Sequence, residues 1–222
     1  MDEKNTNRLE AFSDGVFAVA ITLLVLNLKV PGLDAPGDLR DNLSLWKALF
    51  KEWPTLAAYV TSFATIGIMW INHHRLFNHI KRTDTGLLLL NLLLLLVIVF
   101  IPFPTALLAQ QYTAYPDQHL AALIFSGTYV ILACCFYLLW NYASYRNRLL
   151  GEETDSRAVA AISRQYMFGP LLYLITFGVA FINVPACIIL NFILALFFAL
   201  PGRSLRLLPK EDENKEETLM KR

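Results

Sequence analysis

The chain has 222 residues, 56% of them hydrophobic, 17% charged, and a formal net charge of +1. Its mean hydropathy is +0.46, and the apolar residues come in blocks. That composition excludes an ordinary soluble domain, and no nucleic acid is expected as a partner.

A spanning helix needs about 20 mostly apolar residues, because the hydrocarbon core is about 30 Å thick and each residue rises 1.5 Å. Six blocks qualify, at about 9–28, 54–74, 85–109, 119–142, 166–183 and 185–200. No period-2 pattern of the barrel type occurs, so the spans read as helices. The first begins "RLEAFSDGVFAVAITLLVLNL", with Arg8, Glu10, Ser13 and Asp14 in its opening turns and Thr22 among aliphatics farther in. No signal peptide is expected, since this run exceeds a signal h-region and no small-residue cleavage site follows.

Between the first two blocks, "DNLSLWKALFKEW" sets Leu43, Trp46, Leu49, Phe50 and Trp53 at helical spacing, with Asp41 or Asn42 as N-cap. This predicts a short amphipathic helix near 41–52 on the outer interface, its tryptophans at headgroup depth. Pro102 and Pro104 near the end of block three, and Pro170 near the start of block five, are candidate breaks. The last two blocks are short and separated by Asn183, Val184 and Pro185, which predicts a tight helical hairpin. The reading is an all-α membrane protein. Residues 1–202 form one six-helix transmembrane domain, and residues 203–222 a charged cytoplasmic tail.

Charge sets the orientation. Of 19 Lys and Arg, four lie in the first long loop, at Lys29, Arg40, Lys47 and Lys51. The other fifteen lie at the amino terminus, after blocks two and four, or in the tail. Cytoplasmic flanks retain basic residues, so both termini are expected inside a multi-pass protein of the cell's inner (plasma) membrane. Cys134, Cys135 and Cys187 all fall within spans and read as packing residues. Neither zinc spacing nor any other metal site is expected.

Ionisable groups inside a membrane are costly and face protein or water. Here they are Glu10 and Asp14 in span one and His73 and His74 near the end of span two. A relay of carboxylates across the bilayer, or a central acidic ring, is thereby excluded. Asp14 lies six residues past Arg8, about 9 Å along a helix. Counted from the cytosolic ends of their spans, Ser13, Asp14, Trp70, His73 and Asn91 fall at a similar depth in the inner leaflet. Trp70, His73, His74 and Phe77 share one face. An indole, imidazoles and an amide at that depth can jointly satisfy a carboxylate and a hydroxyl.

At 100° per residue, Arg8, Phe12, Gly15, Val19, Leu23 and Leu26 form one stripe on span one, with Thr22 at its edge. Asp14 points about 120° away from it. Such a stripe either packs against lipid and neighbouring spans or lines a pore, with apolar rings that gate by dewetting and one hydroxyl ring near the middle. A small secondary transporter is an open alternative, though it would carry broken helices near the midplane. A proton-permeable leak pathway is another. A membrane enzyme is weaker, since His73 and His74 diverge on a helix and no third strong ligand joins Asp14.

"RLEAFSD" resembles the R-x-x-x-F-S-D signature that opens the first helix of the transmembrane protein 175 family of potassium channels, and "WINHHRLF", Trp70 to Phe77, resembles the second-helix motif of that family. The resemblance covers essentially the whole chain. It implies a potassium-permeable cation channel, not an enzyme, without cofactor, assembled as a homotetramer whose central pore is lined by the first helix. Val19, Leu23 and Leu26 would form the apolar constriction. Thr22 would form a selectivity layer with modest preference for potassium over sodium. Arg8, Phe12, Ser13, Asp14, Trp70, His73 and Asn91 would form the structural network around the signature. The implied partners are other copies of the chain, the lipid bilayer and monovalent cations.

Overall fold

The structure is a computed structural model that describes residues 4–28, 42–114, 119–151 and 154–199. Every element in it is helical, apart from one isolated β-bridge between Ile80 and Leu150. The helices are α1 (Lys4–Leu23, continued by a 3₁₀ turn Leu24–Asn27), α2 (Asn42–Lys51), α3 (Trp53–His79), α4 (Thr85–Phe100), α5 (Pro102–Ala114), α6 (Leu120–Ser144), α7 (Ser156–Ala180) and α8 (Val184–Ala199).

Four stretches are long and apolar enough to cross a membrane: Thr6–Leu26, Thr55–His79, Thr85–Gln111 and Leu120–Asn147. The third runs across α4 and α5. Its break falls where sequence chemistry puts it. Pro102 has no N–H to offer Ile98, so Ile101 takes that carbonyl instead at 3.2 Å and α4 stops. Pro170, by contrast, sits inside α7 without ending it. The α7–α8 hairpin is present, turning over Phe181–Asn183, with the Asn183 side chain accepting from the Ala186 N–H at 2.9 Å. α8 has only 16 residues, and α7 carries Arg157 and Arg164 in its first turns.

The largest boundary differences from the apolar blocks are helices that run on into polar sequence. α3 continues to His79, and α7 starts at Ser156, ten residues before its apolar block. Polar helix ends add no hydropathy, so a hydropathy window cuts them off. Asp155 caps α7 by accepting from Arg157 N at 2.9 Å. The amphipathic helix is α2, which starts at Asn42 and buries none of its residues against the chain. Asp41, most of the first loop and the tail 203–222 lie outside the described residues.

α6 is the central post, with 56% of its apolar window buried against 28% for the first span. Trp140, Phe136 and Leu132 pack inward from it. A buried polar cluster ties α6, α7 and α8. Ser126 and Thr176 lie 3.2 Å apart, and the Asn191 amide donates to the Cys187 carbonyl at 2.9 Å and reaches Ser126 at 3.4 Å. At the end of the bundle where α1 begins, the α3–α4 and α6–α7 connections pair with each other. Lys81 N donates to Leu149 O at 2.9 Å and Gly151 N to His79 O at 3.1 Å. Asp84 locks this pairing from α4. It accepts from Leu87 N at 2.9 Å, from the Tyr142 hydroxyl at 2.9 Å and from Arg148 at 2.8 Å.

Candidate functional site

α1 packs on α3 and α4 and is peripheral to the rest. Its two faces differ. Leu9, Ser13, Phe17, Ala20 and Leu24 recur every three to four residues and are buried, so helical periodicity alone fixes which side faces the bundle. The opposite side carries Phe12, Gly15, Val19, Thr22, Leu23 and Leu26, all exposed. Val19 is 55%, Leu23 51% and Leu26 75% exposed. A β-carbon added at Gly15 would meet nothing within 4 Å, so this face is open along its length.

The C-terminal end of the stripe is shaped by a change of helix type. Regular α-helix ends at Leu23, and Leu24–Asn27 is a 3₁₀ turn. In a 3₁₀ helix residues i and i+3 eclipse, whereas in an α-helix they are offset by about 60°. The tightening therefore carries Leu26 into line with Leu23. The Thr22 hydroxyl donates to the Val19 carbonyl at 3.0 Å, one turn below. Its proton is used inside its own helix, and the oxygen lone pairs are what remain to face outward.

The polar residues around the first turns of α1 sort into two groups. In the first, the Ser13 hydroxyl donates to Leu9 O at 2.8 Å and accepts from the Asn91 amide at 2.9 Å. The Asn91 carbonyl oxygen in turn lies 2.9 Å from His73 Nε2, so that nitrogen carries the proton. This chain of three side chains links α1, α4 and α3, and all three residues are fully or almost fully buried. The His73 ring is held on both sides, stacked on Phe77 at 4.4 Å and edge-on to Phe17 at 5.5 Å between centroids. Phe17 was not singled out from sequence. Its signal was its place on the buried stripe of α1, three residues past Asp14.

The second group lies on the surface. Trp70 Nε1 donates to Asp14 Oδ1 at 2.8 Å, and the Trp70 ring stacks on His74 at 6.0 Å. Asp14, Trp70 and His74 are all exposed on the single chain. A carboxylate covered within the chain was expected, and Asp14 is not one. It sits one residue from Ser13, about 100° around the helix, which is enough to turn it out of the bundle. Arg8 and Phe12 are also exposed and belong to neither group. Thus Ser13, His73 and Asn91 are brought together, Asp14 and Trp70 form a separate pair, and Val19, Thr22, Leu23 and Leu26 share the open face. Among the described residues no group of three or more His, Cys, Asp or Glu is placed to hold a metal ion.

This arrangement has relatives. Residues 8–102 match the family model described as endosomal/lysosomal potassium channel TMEM175. A protein of Chamaesiphon minutus described as a potassium channel is 45% identical over 199 residues, covering 90% of this chain and 96% of that one. One from Streptomyces collinus, also described as a potassium channel, is 42% identical over 193 residues, covering 87% of this chain and 91% of that one. The crystal structure of a lysosomal potassium-selective channel TMEM175 homolog from Chamaesiphon minutus superposes with a TM-score of 0.76 at 43% identity, over 88% of this chain and 97% of that one. These relatives are channels rather than enzymes, and the chain belongs to the TMEM175 family.

Proposed function

We propose that this chain is a potassium-permeable cation channel that assembles as a homotetramer around the open face of α1. The observation that carries the reading is that face. Phe12, Gly15, Val19, Thr22, Leu23 and Leu26 stay exposed on a helix whose other side is packed. The descriptions of the relatives as potassium channels support the choice of ion.

Four copies of the stripe facing one axis would make rings of Val19, Leu23 and Leu26, which hold water out when narrow, and one ring of Thr22 oxygens. Hydroxyl oxygens offer a weak field and few ligands, so the preference for potassium over sodium is modest. The exposed Asp14–Trp70 pair supports assembly as well. A carboxylate about 9 Å beyond Arg8 lies below the headgroups and does not face lipid. A neighbouring copy or an aqueous vestibule must meet it. In this reading α7 and α8 cross as a hairpin, which completes six spans with both termini in the cytoplasm of a cell whose plasma membrane holds the channel.

The test is a flux assay on the chain reconstituted in vesicles, with potassium and sodium gradients compared side by side. Passive potassium flux exceeding sodium flux, from a species whose intact mass is that of four chains, is the expected result. Active monomers, or flux coupled in fixed ratio to a second solute, would overturn it.

A further inference from the structure

Only Glu52 separates α2 (Asn42–Lys51) from α3 (Trp53–His79). Pro54 accounts for the interruption, because its nitrogen has no hydrogen to offer the Phe50 carbonyl. The stretch Thr55–His79 already has 25 residues, about 37 Å of helix, against a hydrocarbon core of about 30 Å. α2 is therefore not needed to cross a membrane, and its apolar residues call for another account.

The sides of α2 are arranged in the opposite sense from a helix that packs on its own chain. Ser44, Ala48 and Glu52, each one turn from the next, are the half-buried positions. The large apolar residues point away. Phe50 is 69% and Trp53 62% exposed, and Leu43, Leu45, Trp46 and Leu49 are exposed as well. Together they fill an arc of about 160° around the helix. The Trp46 and Phe50 rings lie beside each other on it, their centroids 5.9 Å apart. Lys47 and Lys51, again one turn apart, border the arc, and neither has an acidic partner among the described residues. Tryptophan, phenylalanine and leucine on one face with lysine beside them make up a helix that lies in the plane of a membrane surface. Tryptophan rings favour headgroup depth.

We infer that α2 is a binding surface for anionic phospholipid. It lies along the headgroup layer with Trp46, Leu49, Phe50 and Trp53 at the acyl boundary, and Lys47 and Lys51 pair with lipid phosphate. Charge favours lipid over the same face of a second copy. A second α2 would bring two more lysines, and the nearest carboxylate, Glu52, already accepts from the Thr55 hydroxyl at 3.2 Å. Phospholipid meets both needs at once, acyl chain for the apolar arc and phosphate for the lysines. The first turns of α3 also pack on the 3₁₀ turn of α1, where Thr55, Ala58, Tyr59 and Ser62 lie around Leu24. Lipid that holds α2 thus holds that end of α3 against α1. The inference does not rest on the pore reading, because contact with lipid is read without measuring current.

The experiment uses the full chain in nanodiscs of phosphatidylcholine mixed with phosphatidylglycerol. Bromine is carried either near the carbonyl end or near the methyl end of the acyl chains. The chain has four tryptophans, so the fluorescence lost on combining Trp46→Phe with Trp53→Phe is the share of α2 and its junction. That share should be quenched mainly by bromine near the carbonyl end and little by acrylamide in the water. Lys47→Glu combined with Lys51→Glu should lower bromine quenching and raise acrylamide quenching in the mixed discs, and do so much less in phosphatidylcholine alone. Phe50→Ser keeps the lysines and should shift the same share toward acrylamide in both lipids. All three substitutions alter exposed side chains only. Quenching by acrylamide alone in the unaltered chain would put α2 in water and overturn the inference. A share shielded from bromine and acrylamide alike would mean that protein covers the face, and would overturn it too. Charge reversal without effect in the mixed discs would overturn the pairing with phosphate.

Discussion

The Trp70 indole of α3 donates to the Asp14 carboxylate of α1 at 2.8 Å, on the outside of the single chain rather than in its core. Ser13, one residue earlier, is fully buried and bonded to Asn91. Adjacent residues of one signature thus look in different directions. One fastens α1 inward, and the other is hydrogen-bonded to α3 on the exposed side of the chain.

Asp14→Ala should reduce the tetramer fraction more than it alters ion preference. The figure of about 3–5 kcal/mol for breaking a buried charge pair does not apply to a pair exposed on the chain. The intrachain loss is nearer one net hydrogen bond, about 1 kcal/mol. Asp14→Asn keeps an acceptor for Trp70 and should assemble better than Asp14→Ala. Size-exclusion profiles across a temperature series would rank the two. A fully tetrameric Asp14→Ala channel with altered selectivity would mean that Asp14 faces the pore.

The buried chain of Ser13, Asn91 and His73 predicts a different order of damage. Asn91 bonds to both neighbours, so Asn91→Leu strands the His73 N–H and removes the donor to Ser13. Each buried group left unpaired costs about 1–3 kcal/mol. Ser13→Ala leaves one Asn91 N–H without its acceptor and should cost less. Thermal unfolding followed by tryptophan fluorescence gives the ranking, and a Ser13→Ala protein less stable than Asn91→Leu would contradict it.

Much of this was legible in the sequence because helices in lipid announce themselves by length and period. The break before Pro102, the α7–α8 hairpin and the two faces of α1 all follow from local chemistry. The Ser126, Thr176 and Asn191 cluster was not legible. Neutral hydroxyls and amides inside apolar runs carry no charge signal, and only the packing of α6, α7 and α8 brings them together. The exposure of Asp14 was hidden for a related reason. Depth along a helix can be counted from sequence, whereas which neighbour covers a given side cannot. The pairing of Lys81 with Leu149 is backbone to backbone and leaves no side-chain trace.

Gly86 offers a sharp test of the junction between the α3–α4 and α6–α7 connections. A β-carbon at this position would collide with the ring and hydroxyl of Tyr142, the group that donates to Asp84. Gly86→Ala would normally favour a helix by about 1 kcal/mol. Here it should destabilise, because Tyr142 must leave Asp84 to make room. Gly86→Ala combined with Tyr142→Phe stays crowded, whereas Tyr142→Ala should restore most of the loss. Melting temperatures of the single and double variants would measure the coupling. A stabilised Gly86→Ala protein would show that Tyr142 moves away at no cost.

The open face of α1 makes the most specific claim about ions. Thr22 is the only polar side chain on the C-terminal half of the stripe, and its proton is engaged by the Val19 carbonyl at 3.0 Å. Its oxygen therefore presents lone pairs outward without reorientation, which suits a cation that has shed part of its water. Thr22→Val keeps the branched shape and deletes the oxygen. It should lower the potassium-over-sodium permeability ratio while the tetramer survives. Leu23 and Leu26 act differently. The 3₁₀ turn aligns them, so in the proposed channel together they would set the width and dryness of the path. Leu23→Asn or Leu26→Asn should wet the constriction and raise conductance, with a smaller effect on the ratio. Reversal potentials under bi-ionic conditions separate the two effects, since they report preference independently of current size. A ratio unchanged in Thr22→Val, with normal currents, would place selection elsewhere in the pore. A ratio that collapses in Leu26→Asn while conductance stays the same would exchange the roles assigned to the hydroxyl and the apolar rings.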